Sequence, residues 1–253
     1  MNKRLLCALL IFALLFGLCS CDVGENQPLS DICYVAVVSN SGETLAAQGY
    51  CESIGAELLE YNSSSDAVEA VRNGKADYVV LNEYEVQNVL DADSDLYYLE
   101  SCEYKVESRA VFANTNESLC KEFNDAFLKL TEDGTIDNIR TTYLEGGAYQ
   151  VPESTGEKGE LVMVCDPVFE YRVFYDDAGV LRGTDVDIAK AVCAYLGYEL
   201  VIVTTDFHNM FQEIEKGNAG FIMSGVEYTE ERAEFFLFSD VYVTLYYDVY
   251  TKE

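Results

Sequence analysis

The most constraining feature of this 253-residue sequence is an alternation of short apolar runs with amphipathic helical patterns, and it occurs twice along the chain. Strands that alternate with helices predict parallel sheets with helices on both faces. In the first series the predicted strands are 33–39, 76–81, 97–99 and 105–113, and the predicted helices are 42–54, 66–72, 83–90, 118–130 and 136–144. In the second series the predicted strands are 161–165, 199–203, 221–223 and 241–250, and the predicted helices are 185–196 and 207–216.

A segment rich in Gly, Pro, Ser and charge, GGAYQVPESTGEKG at 146–159, separates the two series and reads as a linker. The series also echo each other. NGKAD at 73–77 and KGNAG at 216–220 each predict a helix end, a Gly cap and a following buried strand. The echo favours two similar lobes.

The amino-terminal segment has the pattern of an export signal. Lys3 and Arg4 precede an apolar run at 5–18 that is too short to span a bilayer, and the run ends in LCSC at 18–21. This ending resembles the bacterial lipobox. It predicts a signal peptide at 1–20, a lipid-modified Cys21 as the only membrane attachment, and a tether at 21–30. An ordinary secretory signal that is cleaved without lipidation is the alternative.

Composition excludes several classes of function. A formal net charge of −29 without a basic cluster argues against binding to nucleic acid. The single histidine, His208, and the lack of CxxC spacing predict no metal site and no cofactor. The cysteines outside the signal and the lipid site permit 15 disulfide pairings. Their apolar surroundings favour free, buried thiols, and the residues are Cys33, Cys51, Cys102, Cys120, Cys165 and Cys193.

Several blocks between 161 and 253 carry a family resemblance. They are Asp166 after the first strand, DAG at 177–179, RGTDVDIA at 182–189, LGY at 196–198, DF at 206–207, TEER at 229–232 and FSDVY at 238–242. In this order they resemble the first lobe of the amino-acid-binding bacterial solute-binding proteins of ABC importers. The resemblance implies an α/β, two-lobed clamp of the type II periplasmic-binding-protein kind. Its sheets are mainly parallel and flanked by helices, and two crossing segments form its hinge.

The region 31–149 resembles the second lobe of the same family, through AVVSNS at 36–41, GKAD at 74–77 and LTEDGTIDNI at 130–139. Because the lobes come in reversed order, we expect a circular permutant cut at a hinge. A truncated or misassembled tandem is the alternative. The predicted parts are lobe two at 31–111, the closing helices of lobe one at 112–146, a linker joining the usual termini at 147–159, and lobe one with the terminal hinge strand at 160–253.

The resemblance also implies a ligand site between the lobes. Arg232 matches the arginine that grips the ligand carboxylate, since its planar guanidinium can bind two oxygens. Phe169 and Phe207 match aromatic residues that enclose the ligand side chain, and Asp166 matches an acid at the cleft mouth. Ser224 and Gly225 at a strand end, and Ser41 and Gly42 at a helix start, would supply hydroxyl and backbone donors.

Three positions depart from the family pattern. The acid that pairs with the ligand ammonium aligns with Asn82, the Ser/Thr beside Arg232 aligns with Glu227, and Pro-Phe is replaced by YR at 171–172. Either Glu83 or Glu227 binds the ammonium instead, or the ligand is not an ordinary α-amino acid. We therefore expect a cationic or amine-bearing ligand.

The predicted function is a monomeric, extracytoplasmic, membrane-anchored lipoprotein that captures a small amino-acid-like or amine-bearing solute for an ABC permease, and not an enzyme. Two alternatives stay open. One is a sensory or interaction lipoprotein that kept the fold and changed or lost its ligand. The other is an enzyme like the cyclohexadienyl dehydratases, which share the fold and would use carboxyl groups as acid and base.

Overall fold

One continuous sheet of eight strands organises the chain. The computed structural model describes residues 32–39, 42–90, 95–169 and 171–252, with the side chain of Asn88 excepted. Every helix and strand of these described residues lies within one compact unit, Cys33–Glu253. The predicted signal, lipid site and tether lie outside the described residues.

The described elements before the linker region are four strands and five helices. The strands are β1 (Tyr34–Val38), β2 (Glu57–Tyr61), β3 (Tyr78–Asn82) and the long β4 (Leu96–Ala113). The helices are α1 (Gly42–Ile54), α2 (Ser64–Arg72), α3 (Glu83–Val89), α4 (Glu117–Glu132) and α5 (Thr135–Leu144).

The elements after it form the second series. The strands are β5 (Glu160–Cys165), the short β6 (Phe174–Tyr175) and β7 (Leu181–Arg182), then β8 (Glu199–Thr204), β9 (Phe221–Ile222) and the long β10 (Phe236–Lys252). The helices are α6 (Thr184–Leu196), α7 (Phe207–Glu215) and the single turn α8 (Glu230–Ala233).

The strand order, β2-β1-β3-β10-β4-β9-β5-β8, joins two parallel triplets through one antiparallel pair. We call β2-β1-β3 the first half-sheet and β9-β5-β8 the second half-sheet; the strands within each are parallel. Between them β4 and β10 run antiparallel, paired from Phe236↔Ala113 to Lys252↔Leu96, with four shifts of register. The outer edges of this pair bond antiparallel to β3 and β9.

The helices that follow β4 pack on the second half-sheet side, against α6. The Tyr143 hydroxyl of α5 donates to Asp187 Oδ2 at 2.7 Å and accepts from the Gly183 N–H at 2.9 Å. These buried bonds fix α5 to the start of α6, because a buried polar group that loses its partner destabilises the fold.

Residues 147–159, the predicted linker, contain no helix or strand and are bonded to the body of the fold. The Ser154 hydroxyl donates to the Tyr198 carbonyl, the Lys158 N–H donates to the Gly197 carbonyl at 2.9 Å, and the Lys158 ammonium pairs with Glu122 of α4 at 3.0 Å. The segment therefore follows the surface between α5 and β5.

The structure corrects the predicted elements in a few places. The strands predicted at 97–99 and 105–113 are the two ends of the single strand β4, while β2, β6, β7 and α8 have no counterpart in the prediction. The six cysteines in the described residues are free, and Cys51, Cys120, Cys165 and Cys193 are buried. In the described part of the chain, no helix combines the length and apolarity needed to cross a membrane.

Candidate ligand-binding site

A cavity of about 590 Å³ lies where the two half-sheets meet the long strand pair. Its volume falls within the range of small-molecule pockets. Its wall takes residues from both series and from the connecting strands. They include Gly42, Glu43, Ser64, Asn82 and Glu85 from the first series, Phe169, Arg172, Phe207, Gly225, Glu227 and Arg232 from the second, and Val106, Leu245 and Tyr247 from β4 and β10.

Most residues predicted for the site lie on this wall: Gly42, Asn82, Phe169, Phe207, Gly225, Glu227 and Arg232. Ser41 lies outside the described residues. Ser224 and Asp166 are not on the wall. The fully buried Ser224 hydroxyl accepts from the Asp166 N–H at 3.0 Å and lies 3.2 Å from the Asp166 carbonyl, so this pair joins the end of β5 to the segment that follows β9.

On the first half-sheet side, the wall is built around Asn82, the last residue of β3 and the N-cap of α3. Its side-chain oxygen accepts from the N–H groups of Tyr84 and Glu85, and the Glu85 carboxylate accepts from the Asn82 N–H at 3.0 Å. This reciprocal capping box satisfies donors that a helix start leaves open. The Asn82 amide nitrogen donates to Glu43 Oε1 at 2.6 Å.

Glu43 and Glu85 are therefore brought together from the first turns of two helices, and they are only 5% and 8% exposed. The Ser64 hydroxyl, at the start of α2, also donates to Glu85. Burial and, next, the negative charge of Glu43 raise the pKa of the Glu85 carboxyl to about 8, because both disfavour its ionised form.

On the second half-sheet side, Arg172 occupies the floor of the cavity. It forms a forked pair with Asp185 of α6, Nε to Oδ1 at 3.2 Å and Nη2 to Oδ2 at 3.0 Å. The Tyr242 hydroxyl donates to Asp185 Oδ2 at 2.6 Å, and the Gly225 N–H donates to the same oxygen at 3.2 Å. The network is buried, so the charge of Arg172 is balanced inside the protein.

Arg232 of α8 reaches the cavity from the rim. Its Nη1 donates to the Glu227 backbone carbonyl at 2.9 Å, and its guanidinium lies 5.4 Å from the ring centre of Phe207 and 5.6 Å from that of Phe211. Both distances suit cation–π contacts. Burial raises the pKa of the Glu227 carboxyl, and the positive charges of Arg232 and Arg172 offset part of that rise.

Sequence reasoning missed Glu43, Glu85 and Arg172 as wall residues. A signal for Glu85 was present, since Asn82 followed three residues later by Glu85 is the pattern of a capping box. That pattern predicts the helix start but not the cavity beside it. In the residues that the structure describes, no cluster of His, Cys, Asp and Glu could hold a metal ion.

Comparisons with known proteins found similarity over part of the chain. Residues 161–253 match the family described as bacterial extracellular solute-binding proteins, family 3. Over that segment, which runs from β5 to β10, the chain is similar to this family.

Two curated relatives of the chain have names that describe them as arginine-binding. The arginine-binding extracellular protein ArtP of Bacillus subtilis is 29% identical over 101 residues, which are 40% of each chain. The arginine-binding protein ArgT of Corynebacterium glutamicum is 30% identical over 90 residues, 36% of this chain and 30% of the relative. The chain thus aligns with less than half the length of each.

A solved structure extends the fold likeness over both halves. The phosphate-binding protein of a phosphate ABC transporter from Streptococcus pneumoniae superposes with a TM-score of 0.52 over 88% of this chain and 89% of its own, at 12% identity. At that identity the likeness concerns the fold alone, which is the two-lobed fold of periplasmic binding proteins.

Proposed function

We propose that this chain is an extracytoplasmic solute-binding protein, which captures a small amino-acid-like or amine-bearing solute in the cavity between its two lobes and delivers it to an ABC permease. The observation that carries the proposal is the cavity itself. It brings carboxyl groups from one lobe opposite an arginine and aromatic rings from the other. A solute that bridges both lobes stabilises the closed arrangement by its differential affinity for it.

The charges on the wall support a ligand that contains nitrogen cations. Glu43 and Glu85 on one side and Glu227 on the other are acidic, while the guanidinium of Arg172 is already balanced by Asp185. Arginine, the ligand in the names of both curated relatives, carries a guanidinium and an ammonium group and is the first candidate.

The residues predicted for the site have separate roles in this proposal. Arg232 receives a carboxylate or another acceptor of the solute, and Phe169 and Phe207 enclose its hydrocarbon part. Gly42, with Ser41 before it, offers a backbone donor. Gly225, predicted as a second donor, lines the cavity, but its N–H is bonded to Asp185 and to the Tyr242 hydroxyl. Asp166 and Ser224 support the wall through their mutual hydrogen bonds.

Isothermal titration with the twenty amino acids, agmatine and putrescine tests the proposal. We expect saturable binding of at least one cationic member, and a loss of at least tenfold in affinity in Arg232→Ala. The matched control is Lys121→Ala, which removes a charge from the exposed face of α4. No binding across the whole panel would contradict the proposal.

We further propose that the chain is a circular permutant with the domain limits predicted from the sequence. In support, the family match covers only 161–253, the segment that ends with β10. The helices α4 and α5, which come before the linker, pack on the half that follows it. A rearranged chain that starts at residue 160, continues through 252 and is joined by a short linker to 32–146 should fold and bind the same solute. Failure of that chain to fold, with the natural order folding well, would count against it.

A lipid anchor at Cys21 is part of the same proposal, because LCSC ends the apolar leader. Fatty-acid labelling in a bacterial host should mark the wild-type chain and not Cys21→Ala, and the variant should appear in the medium or periplasm. Equal labelling of both would refute the anchor.

Cross-linking of the anchored chain in membranes tests the partner. A permease subunit among the products supports delivery for import, whereas a receptor kinase would favour the sensory alternative. The solute-free chain is expected to be a monomer, as sedimentation velocity can measure.

A further inference from the structure

Two buried acidic side chains on the cavity wall, Glu43 and Glu85, have no basic partner among the described residues. No Lys or Arg there forms a salt bridge with either, although Arg172 and Arg232 share the wall with them. Glu227 differs, because it is half-buried and the charges of Arg232 and Arg172 act on it. Arg172 is taken up by Asp185. A buried carboxylate without a cation is unfavourable, so these positions are complementary to a positive charge that comes from outside the chain.

The Asn82 amide and the two acids, Glu43 and Glu85, have different roles in the wall. The Asn82 side-chain oxygen accepts hydrogen bonds at the start of α3, and the Asn82 amide nitrogen donates one hydrogen bond to Glu43. It therefore orients Glu43 and contributes no charge of its own. Negative charge at this place comes from Glu43 and Glu85, which approach from different helices and are both more than nine-tenths buried.

Without a solute, the chain can avoid two adjacent buried charges by keeping a proton on one of them. Glu85 is the group for which burial and the charge of Glu43 favour the protonated form. A cation at this place reverses the balance, because it stabilises both ionised carboxylates at once.

We propose that Glu43 and Glu85 together receive a cationic nitrogen of the solute, and that its arrival releases the proton of the Glu85 carboxyl to solvent. The solute keeps its own proton, so one H⁺ leaves the protein for each cation bound. This inference rests on the proposed function and names the class of ligand group that the first lobe accepts, a protonated amine or a guanidinium.

The other titratable groups near Glu85 do not supply the missing cation. Tyr247 of β10 faces the same space. Burial raises the pKa of its hydroxyl, the charges of Glu43, Glu85 and Glu227 raise that pKa further, and the charge of Arg172 lowers it in part. Burial raises the pKa of Glu83 and of Tyr84, the neighbours of Glu85 on α3, and the positive charge of Arg140 on α5 lowers both in part. From α2, only the uncharged Ser64 hydroxyl is seen to bond Glu85 among the described residues. The charged side chains of α2 form their hydrogen bonds with other residues, and these side chains are Asp66, Glu69 and Arg72.

The experiment measures affinity and proton release together. The full chain is titrated with L-arginine, agmatine and putrescine at pH 6, 7 and 8, in two buffers of different ionisation enthalpy. We expect affinity to rise with pH, by up to about tenfold per pH unit, the limit for one proton. Below pH 8 the heats should differ between buffers in the sense of proton release.

Glu85→Gln keeps an acceptor for the capping box and cannot ionise, so it should abolish both the pH dependence and the proton release. Glu43→Gln should weaken binding by about tenfold or more. Glu52→Gln, on the exposed side of the same helix α1, is the matched control and should behave as wild type.

The outcomes separate the two proposals. No binding of any probe by wild type overturns the proposed function and this inference with it. Binding without proton release, or binding that is unchanged in both glutamine variants, overturns this inference alone. Since proton release is measured on the wild-type chain, the test holds even if a variant fails to fold.

Discussion

Arg172 and Asp185 meet in a forked, fully interior pair, with the acid 0% and the guanidinium 7% exposed at their side chains. The pair joins the segment after β5 to the first turn of α6, directly beneath the cavity. Removing one partner leaves the other charge buried and unbalanced.

Asp185→Asn should therefore lower the free energy of unfolding by about 3–5 kcal/mol, as measured by urea denaturation. The control is Asp125→Asn, which breaks the exposed pair between Lys121 and Asp125 and should cost less than about 1 kcal/mol. Equal, small losses in the two variants would show that the interior pair does not hold the fold.

The stability of the solute-free chain should depend on pH through Glu85. Its pKa in the folded chain is about 8, above the ordinary value of 4.5, so the folded state holds a proton that the unfolded state has lost. The contribution of that proton is complete below about pH 4.5 and is lost as the pH rises to about 8.

Chemical denaturation of wild type and Glu85→Gln at pH 5, 6.5 and 8 measures this effect as a difference. The wild type should lose stability relative to the variant by at most about 1.4 kcal/mol per pH unit across this range. Subtracting the variant removes the pH dependence of the other acids. Parallel curves for the two proteins would contradict the raised pKa.

Gly183 lies at the N-cap of α6 with a φ of 130°, in a place where a side chain has no room. A Cβ atom there would come within 2.0 Å of the Arg172 carbonyl oxygen. Gly183→Ala should destabilise the chain by several kcal/mol, on the order of other strained backbone positions, and should disturb Arg172.

Gly49 provides the opposite case, since it lies within α1 and a Cβ atom would meet nothing within 4 Å. Gly49→Ala should stabilise the chain by about 0.5–1 kcal/mol, because alanine favours a helix. Thermal unfolding of both variants tests the contrast, which fails if the two changes have the same sign.

Tyr143 tests the attachment of α5 to α6. Tyr143→Phe removes the hydroxyl that binds Asp187 and Gly183, and it should cost about 1–3 kcal/mol because two buried groups lose a partner. Tyr195→Phe, at an exposed tyrosine of α6, should be neutral within about 0.5 kcal/mol. A neutral Tyr143→Phe would mean that packing alone holds α5.

The order of helices and strands could be predicted from the sequence wherever the apolar residues of an element recur at a regular period and form one buried face. The predicted helix at 42–54 agrees with α1 at both ends: it begins at Gly42, and Gly55 follows its last residue with a positive φ. The strand β2 was missed because ELLEY alternates weakly and is only partly buried at an edge. The polar middle of β4 hid its continuity, which depends on its pairing with β10.

The site was less accessible to such reasoning. Family resemblance pointed to Arg232, Phe169, Phe207 and Gly225, and all four line the cavity. The acids Glu43 and Glu85 are 42 positions apart, and each is typical of the first turn of a helix, where carboxylates are common. Only the meeting of two helix starts beside Asn82 makes them neighbours, and a local pattern does not carry that information.

The long pair of β4 and β10 has a mechanical consequence for any solute that enters. The strands β4 and β10, which both connect the half-sheets, are hydrogen-bonded to each other, so neither can move without the other. The pair bends most easily at its four register shifts, where the regular hydrogen bonding between the strands is interrupted. The aperture should widen and narrow along a single direction. A solute that is too wide along that direction would be excluded by the rigidity of the strand pair, whatever its charge.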